Sequence, residues 1–198
     1  TLKKRCGSVC RAWGISNSTN MKSDFVTVVS GLPRSGTSLM MQMINAGGME
    51  AMQDGQRTAD ADNPRGYLEF EAVKKLKEDS SWVAGACGKV VKVISMLLFD
   101  LPPTQNYRVI FMIRDMDEIL ASQKEMLKRR GTLNDKGPDD ADMRKFFQNH
   151  LNKVRAWLDV QPNFQVLYVD YNAIMAGEQK GIQDVCDFLG PVVDIVAM

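Results

Sequence analysis

Gly31-Leu-Pro-Arg-Ser-Gly-Thr-Ser38 packs two glycines, three hydroxyls (Ser35, Thr37, Ser38) and one cation, Arg34, into a single short stretch. A run of β-branched and aromatic residues, Phe25 to Val29, precedes it, and a pattern of helical period begins near Thr37. Strand, glycine loop and helix in that order lay backbone N–H groups and the positive end of a helix dipole around a phosphate. The N–H groups of Ser35, Gly36, Thr37 and Ser38, with the hydroxyls of Thr37 and Ser38, form a candidate cradle for one phosphate. The glycines have Walker A spacing, but Thr37 stands where that loop carries its lysine. The loop's cation is Arg34, which projects toward whatever the phosphate bears. A strand–helix turn with glycines for geometry alone is the plainer alternative, and the hydroxyls and arginine between them argue against it.

A second group could hold another anion. Arg114 closes the apolar run Arg108 to Ile113, and Ser122 follows it along a helix that begins near Asp115. Two turns of helix bring the Ser122 hydroxyl toward the space the guanidinium faces. An arginine fork plus a hydroxyl suits a second phosphate. Taken alone, Arg114 would pair with Asp115 or Asp117, and Ser122 would be a solvated helix serine.

The elements that must position these groups alternate. Leu39, Met40, Met43 and Ile44 recur at helical spacing and Gly47-Gly48 ends that helix. Residues 52–66 form a long polar loop of the kind found at active sites. A helix is expected over Glu69 to Asp79, strands over Val90 to Ile94 and Arg108 to Ile113, and a helix capped by Asp115 or Asp117 with Ile119, Leu120, Met126 and Leu127 buried. Gly131 to Asp140 reads as a polar loop, then come a helix to about Val160, a strand Phe164 to Val169 and a helix Gly181 to Leu189. The expected fold class is α/β, a P-loop-like three-layer fold with a central parallel sheet of four to five strands flanked by helices. Ligands of such sheets sit at the carboxyl ends of the strands, where Gly31–Ser38, Lys92 and Arg114 all fall.

At 198 residues the chain reads as a flexible N-terminal arm, 1–22, and a single α/β domain, 23–198. With 25 basic and 24 acidic residues the net charge is +1, which argues against broad nucleic-acid or anionic-membrane binding. No long apolar run suggests membrane insertion, and no apolar segment follows Lys3-Lys4-Arg5 to make a signal peptide; the expected location is cytoplasmic. Cys6 and Cys10 lack the partners that would complete a zinc site and read as free thiols, with a disulfide or metal clamp as alternatives. The aspartates in Pro138-Asp-Asp-Ala-Asp142 fit helix capping better than a calcium loop, and the 13 methionines read as core fillers or pocket lining.

The loop Gly31–Ser38 resembles the 5′-phosphosulfate loop of the sulfotransferases, and Val109-Ile-Phe-Met-Ile-Arg114 through Ser122 resembles their 3′-phosphate site. Asn63-Pro-Arg-Gly-Tyr-Leu-Glu69, Leu167-Tyr-Val-Asp-Tyr171 and Phe188-Leu-Gly190 add weaker support, so that the similarity, closest in flavour to bacterial sulfotransferase-like proteins, spans about Phe25 to Gly190. The resemblance implies 3′-phosphoadenosine 5′-phosphosulfate (PAPS) as co-substrate, 3′-phosphoadenosine 5′-phosphate (PAP) as product, and no metal. It further implies Arg34, Lys92 and Glu69 as catalytic residues: Arg34 on the bridging oxygen, Lys92 on the sulfonate, and Glu69 as general base with Glu71 second. Arg34, Ser35, Gly36, Thr37, Ser38, Arg114, Ser122 and Tyr171 would bind the nucleotide. Arg34 stands where a lysine is common, and arginine stays protonated, so it would act as an electrostatic clamp and not as an acid.

The sequence departs from the family pattern in several places. Ile94 stands where many relatives carry a base histidine, Leu39 where an adenine-stacking tryptophan is common, and no glycine- and basic-rich loop appears before Met198. The sole histidine, His150, reads as structural or exposed. The resemblance implies in-line sulfonyl transfer to a hydroxyl, or an amine, of a small-molecule, glycan or peptide acceptor, with residues 53–66 and 127–142 expected to shape its pocket. Two other functions remain open: a P-loop nucleotide or small-molecule kinase, and a non-catalytic phosphonucleotide-binding protein. Oligomeric state is not legible.

Overall fold

The computed structural model describes residues 24–56, 66–132 and 137–198. The expected arm, Cys6, Cys10 and Asn63-Pro-Arg65 lie outside the described residues. Four strands form one fully parallel sheet in the order β2-β1-β3-β4: β1 (Phe25–Gly31), β2 (Val90–Lys92), β3 (Asn106–Ile113) and β4 (Phe164–Asp170). The strands are apolar on both faces because both faces are covered, as parallel sheets require. On one face Val28, Val91, Val109 and Phe111 pack with α3 (Asp140–Leu158) and three short 3₁₀ segments, Glu71–Lys75, Ser81–Ala86 and Ser95–Asp100. On the other, Val29, Val90, Ile110 and Met112 meet α1 (Thr37–Ala46) and α5 (Gln179–Leu189). Each fully buried aliphatic side chain in these layers contributes on the order of 2 kcal/mol, so both layers fix the sheet firmly. The arrangement is that of a P-loop-like α/β fold.

The central pair positions the chemistry. Gly31 aligns with Met112 at the C-terminal ends of β1 and β3, so the loop after β1 and the residues after β3 emerge side by side. β2 ends at Lys92, paired with Val29, and β4 ends at Asp170, paired with Ile113. The carboxyl ends of all four strands therefore converge on one edge. From β3 the chain enters α2 (Met116–Arg129), where the Asp115 carboxylate accepts from the N–H groups of Asp117 and Glu118. From β4 it enters a single-turn α4 (Tyr171–Met175), capped by Asp170 in the same way.

Two expectations are corrected. The helix expected over Glu69–Asp79 is only the 3₁₀ turn Glu71–Lys75, and Glu69 precedes it in extended chain after Leu68, which has a left-handed φ of 45°. The strand expected to Ile94 stops at Lys92, because Ser95–Asp100 winds into a 3₁₀ helix whose Ser95 and Leu98 are buried. The aspartates at 139–142 cap α3, with Asp139 accepting from the Asp142 N–H. Among the described residues no helix is long and apolar enough to cross a membrane.

Candidate functional site

A cleft of about 350 Å³ opens at the converging strand ends. Arg34, Gly36, Thr37 and Ser38 from the first loop, Glu69, Lys92, Arg114 and Tyr171 all line it. Ser35 and Ser122 lie behind this lining.

The loop takes its shape from two glycines that nothing larger could replace. A Cβ on Gly31 would come within 2.4 Å of Ser35 Oγ, and one on Gly36 within 2.2 Å of the Tyr171 ring. Gly36 is also left-handed (φ 94°) and ends the approach to α1 without any side-chain cap. The N–H groups of the first turn therefore have neither an upstream helical carbonyl nor a capping oxygen. One detail differs from expectation: the Ser35 N–H donates to the Leu32 carbonyl (3.2 Å), closing the turn, so it does not join the cradle. The Ser35 hydroxyl is buried and has no hydrogen-bond partner. Arg34 itself is left-handed (φ 71°), a conformation costing a non-glycine residue about 1 kcal/mol. The fold holds it there through the Arg34 carbonyl, which accepts from Arg114 Nη1 at 2.9 Å.

At one end of the cleft Lys92 Nζ donates to Ser38 Oγ (3.0 Å) and to Glu69 Oε1 (2.9 Å), 5.6 Å from the Tyr67 ring centre. The side chains are 8% and 18% exposed, so this ion pair is shielded from solvent and stronger than a surface pair. Three segments distant in sequence thus bring a glycine-loop hydroxyl, a cation and a carboxylate together. The Glu69 carboxylate is engaged by Lys92. Glu71, the second base candidate, is bound at the surface by Lys74 (2.7 Å).

At the other end Arg34 Nε donates to Ser122 Oγ at 2.9 Å. Ser122 therefore meets the guanidinium of Arg34, whereas the sequence reading had set it beside Arg114. Arg114 stacks 4.4 Å over the Tyr171 ring, and its Nε donates to Glu118 at 2.9 Å, not to Asp115 or Asp117, the partners of the plainer alternative.

Gln123 and Met126 also line the cleft without a site role foreseen from sequence, and Arg130, from the 127–142 stretch expected to shape the acceptor pocket, lines it with them. They recur at helical spacing, on the face of α2 next to the buried Ile119–Leu120 face. That period was the available signal. Gln123 Oε1 is buried without a partner, an orphaned acceptor beside the cleft. Tyr67, also lining it, carried no separable signal within its loop. His150 is half-buried away from the lining, its Nε2 2.9 Å from the buried Ser95 hydroxyl, and burial holds its pKa below the ordinary value.

The donor set fits a ligand carrying two anionic groups. An uncapped helix start, hydroxyls and Lys92 converge at one end, and Arg34 and Arg114 at the other. A sugar kinase from Janibacter sp. HTCC2649 is a structural neighbour at 13% identity and TM-score 0.40, the match covering 87% of this chain and 97% of that one. No curated protein matches the sequence. The family model described as "Sulfotransferase domain" matches residues 24–196, nearly the whole chain and all of the site residues above, and the chain belongs to the sulfotransferase family.

Proposed function

We propose that this protein transfers a sulfonyl group from PAPS to a hydroxyl or amine of a small-molecule, glycan or peptide acceptor. Family membership supports sulfotransfer-type activity. The observation that carries the finer reading is Lys92 held between Ser38 of the phosphate loop and the Glu69 carboxylate, in one cleft with Arg34 and Arg114. A bare phosphate-binding protein has no use for a shielded carboxylate at that point. A kinase of the Walker type would carry a lysine where Thr37 stands.

When bound, PAPS supplies a sulfonyl group whose bond to the 5′-phosphate oxygen breaks with the electron pair left on the phosphate. The first turn of α1 with Thr37 and Ser38 would hold that phosphate. Lys92 would neutralise the sulfonate oxygens, and Arg34 would stabilise charge on the departing oxygen without giving up a proton. Glu69 would take the acceptor's proton, and its contact with Lys92 holds the carboxylate beside the sulfonate position. Arg114 and Tyr171 would hold the 3′-phosphate end. General-base catalysis of this kind contributes about 10²–10⁴-fold.

Calorimetry with PAP and with ATP, each without magnesium, tests the donor site on wild type and on Arg114→Ala. Selective binding of PAP that weakens in the variant is expected; absence of PAP binding overturns the reading. Transfer of labelled sulfonate from PAPS to a panel of acceptors then separates an enzyme from a binding protein.

A further inference from the structure

We propose that Glu118 is a positioning residue that, with Asn172, sets the guanidinium of Arg114 so that one chosen edge is left for the ligand. This rests on the PAPS reading above.

Asp115-x-x-Glu118 has the form of a capping box, in which the glutamate would reach back to the Asp115 N–H. It does not do so. The Asp115 N–H donates to Asn172 Oδ1 at 3.2 Å, so an asparagine from α4 takes the glutamate's place. The Glu118 carboxylate is thereby released for two other bonds: Oε1 accepts from Asn172 Nδ2 at 2.7 Å, and Oε2 accepts from Arg114 Nε at 2.9 Å. The network ties the residues after β3 to those after β4, two neighbouring strand ends that each contribute a wall of the cleft.

The contact is not explained as a helix-stabilising pair. Arg114 lies before the N-cap of α2, and an arginine N-terminal to its glutamate is the less favourable order. It is explained as orientation. Arg114 has five N–H hydrogens. Nε is spent on Glu118 and one Nη1 hydrogen on the Arg34 carbonyl, while the ring of Tyr171 lies against the guanidinium plane. Three constraints from three segments define its position and plane. The donors left are both Nη2 hydrogens and the second Nη1 hydrogen, a fork suited to two oxygens of one phosphate. A carboxylate near that phosphate is an electrostatic cost, so Glu118 earns its place only if the orientation it imposes is worth more.

The readout is the ratio of dissociation constants for AMP and PAP, which differ by the 3′-phosphate alone. Glu118→Ala is expected to shrink the preference for PAP by about tenfold while AMP binding changes little, the size of one hydrogen bond to a charged group. A second variant, Glu118→Gln, keeps an acceptor for Arg114 Nε and should retain most of the preference. In an Arg114→Ala background, Glu118→Ala should have no further effect on the ratio. If wild type does not prefer PAP, the PAPS reading fails and this proposal with it. If wild type prefers PAP and Glu118→Ala leaves the ratio unchanged or raises it, or weakens both ligands equally, the positioning role is overturned and the PAPS reading stands.

Discussion

The two ends of the cleft are built on different principles. The Lys92–Glu69–Ser38 end joins three segments far apart in sequence through one shielded ion pair. The Arg34–Ser122–Arg114–Tyr171 end is a network of contacts at the starts of helices, where local capping sets the backbone and side chains then reach a short way across. One end concentrates charge of both signs where little water competes, the condition under which a carboxylate and a cation can do chemistry. The other fixes Arg34 and Arg114 by hydrogen bonds to Ser122, to the Arg34 carbonyl and to Glu118, and leaves donors of Arg114 for an anion. Under the proposed function the first end carries transfer, with Arg34 reaching toward the departing oxygen, and Arg114 with Tyr171 carries grip.

Variants can separate the two. The largest effect is expected for Glu69→Gln, which preserves a hydrogen-bond acceptor for Lys92: turnover should fall by about 10³-fold with PAP affinity retained. Turnover within a factor of two of wild type would remove Glu69 as the base and dissolve the distinction between the ends. Next is Lys92→Ala, which takes the shielded cation away from the Glu69 carboxylate and should destabilise the fold by about 3 kcal/mol in chemical denaturation. Glu69→Ala added to it should restore part of that loss; if it adds a further loss instead, the pair is not the stabilising unit.

Arg114→Ala should weaken PAP by about 10–100-fold, the range for lost hydrogen bonds to charged groups, and leave turnover at saturating donor much less affected than Glu69→Gln does. Equal losses in turnover from both variants would erase the assignment of grip and transfer to different ends. The smallest effect belongs to neither end. His150 sits in a site that holds its pKa below its ordinary value near 6.5, chiefly through burial and secondarily through Lys153. Below that value the unfolded chain binds the proton more readily, so stability contributed by this group is present above it and lost as pH falls from it toward the lower folded pKa. Melting temperature should drop more between about pH 7.5 and about pH 5.5 in wild type than in His150→Gln. Identical drops would show that His150 does not carry the effect.

Local rules explain what could be read in advance. Asp115 caps α2 and Gly47 ends α1 because caps and stops act within a few residues. The strands β1 and β3 announced themselves as β-branched runs. The 3₁₀ segments around Glu71, Ser81 and Ser95 did not, since turns of three to six residues leave no period to detect. Gln123 was legible only as a helical position, because its orphaned oxygen depends on what the neighbouring elements fail to offer.

By itself the sequence determined the strand–glycine-loop–helix unit, its glycines and a parallel α/β sheet, all properties of short segments or of the pattern of apolar residues. Tertiary structure decided the partners. It bonded Ser122 to Arg34, gave Arg114 to Glu118 and Tyr171, and brought Glu69 to Lys92 from an extended chain that the sequence had suggested was helix. The physical reason is range: capping, turn chemistry and hydrophobic period act within a turn or two of chain. A charged side chain bonds whatever the packed strand ends bring within about 3 Å, and no local spacing encodes that choice.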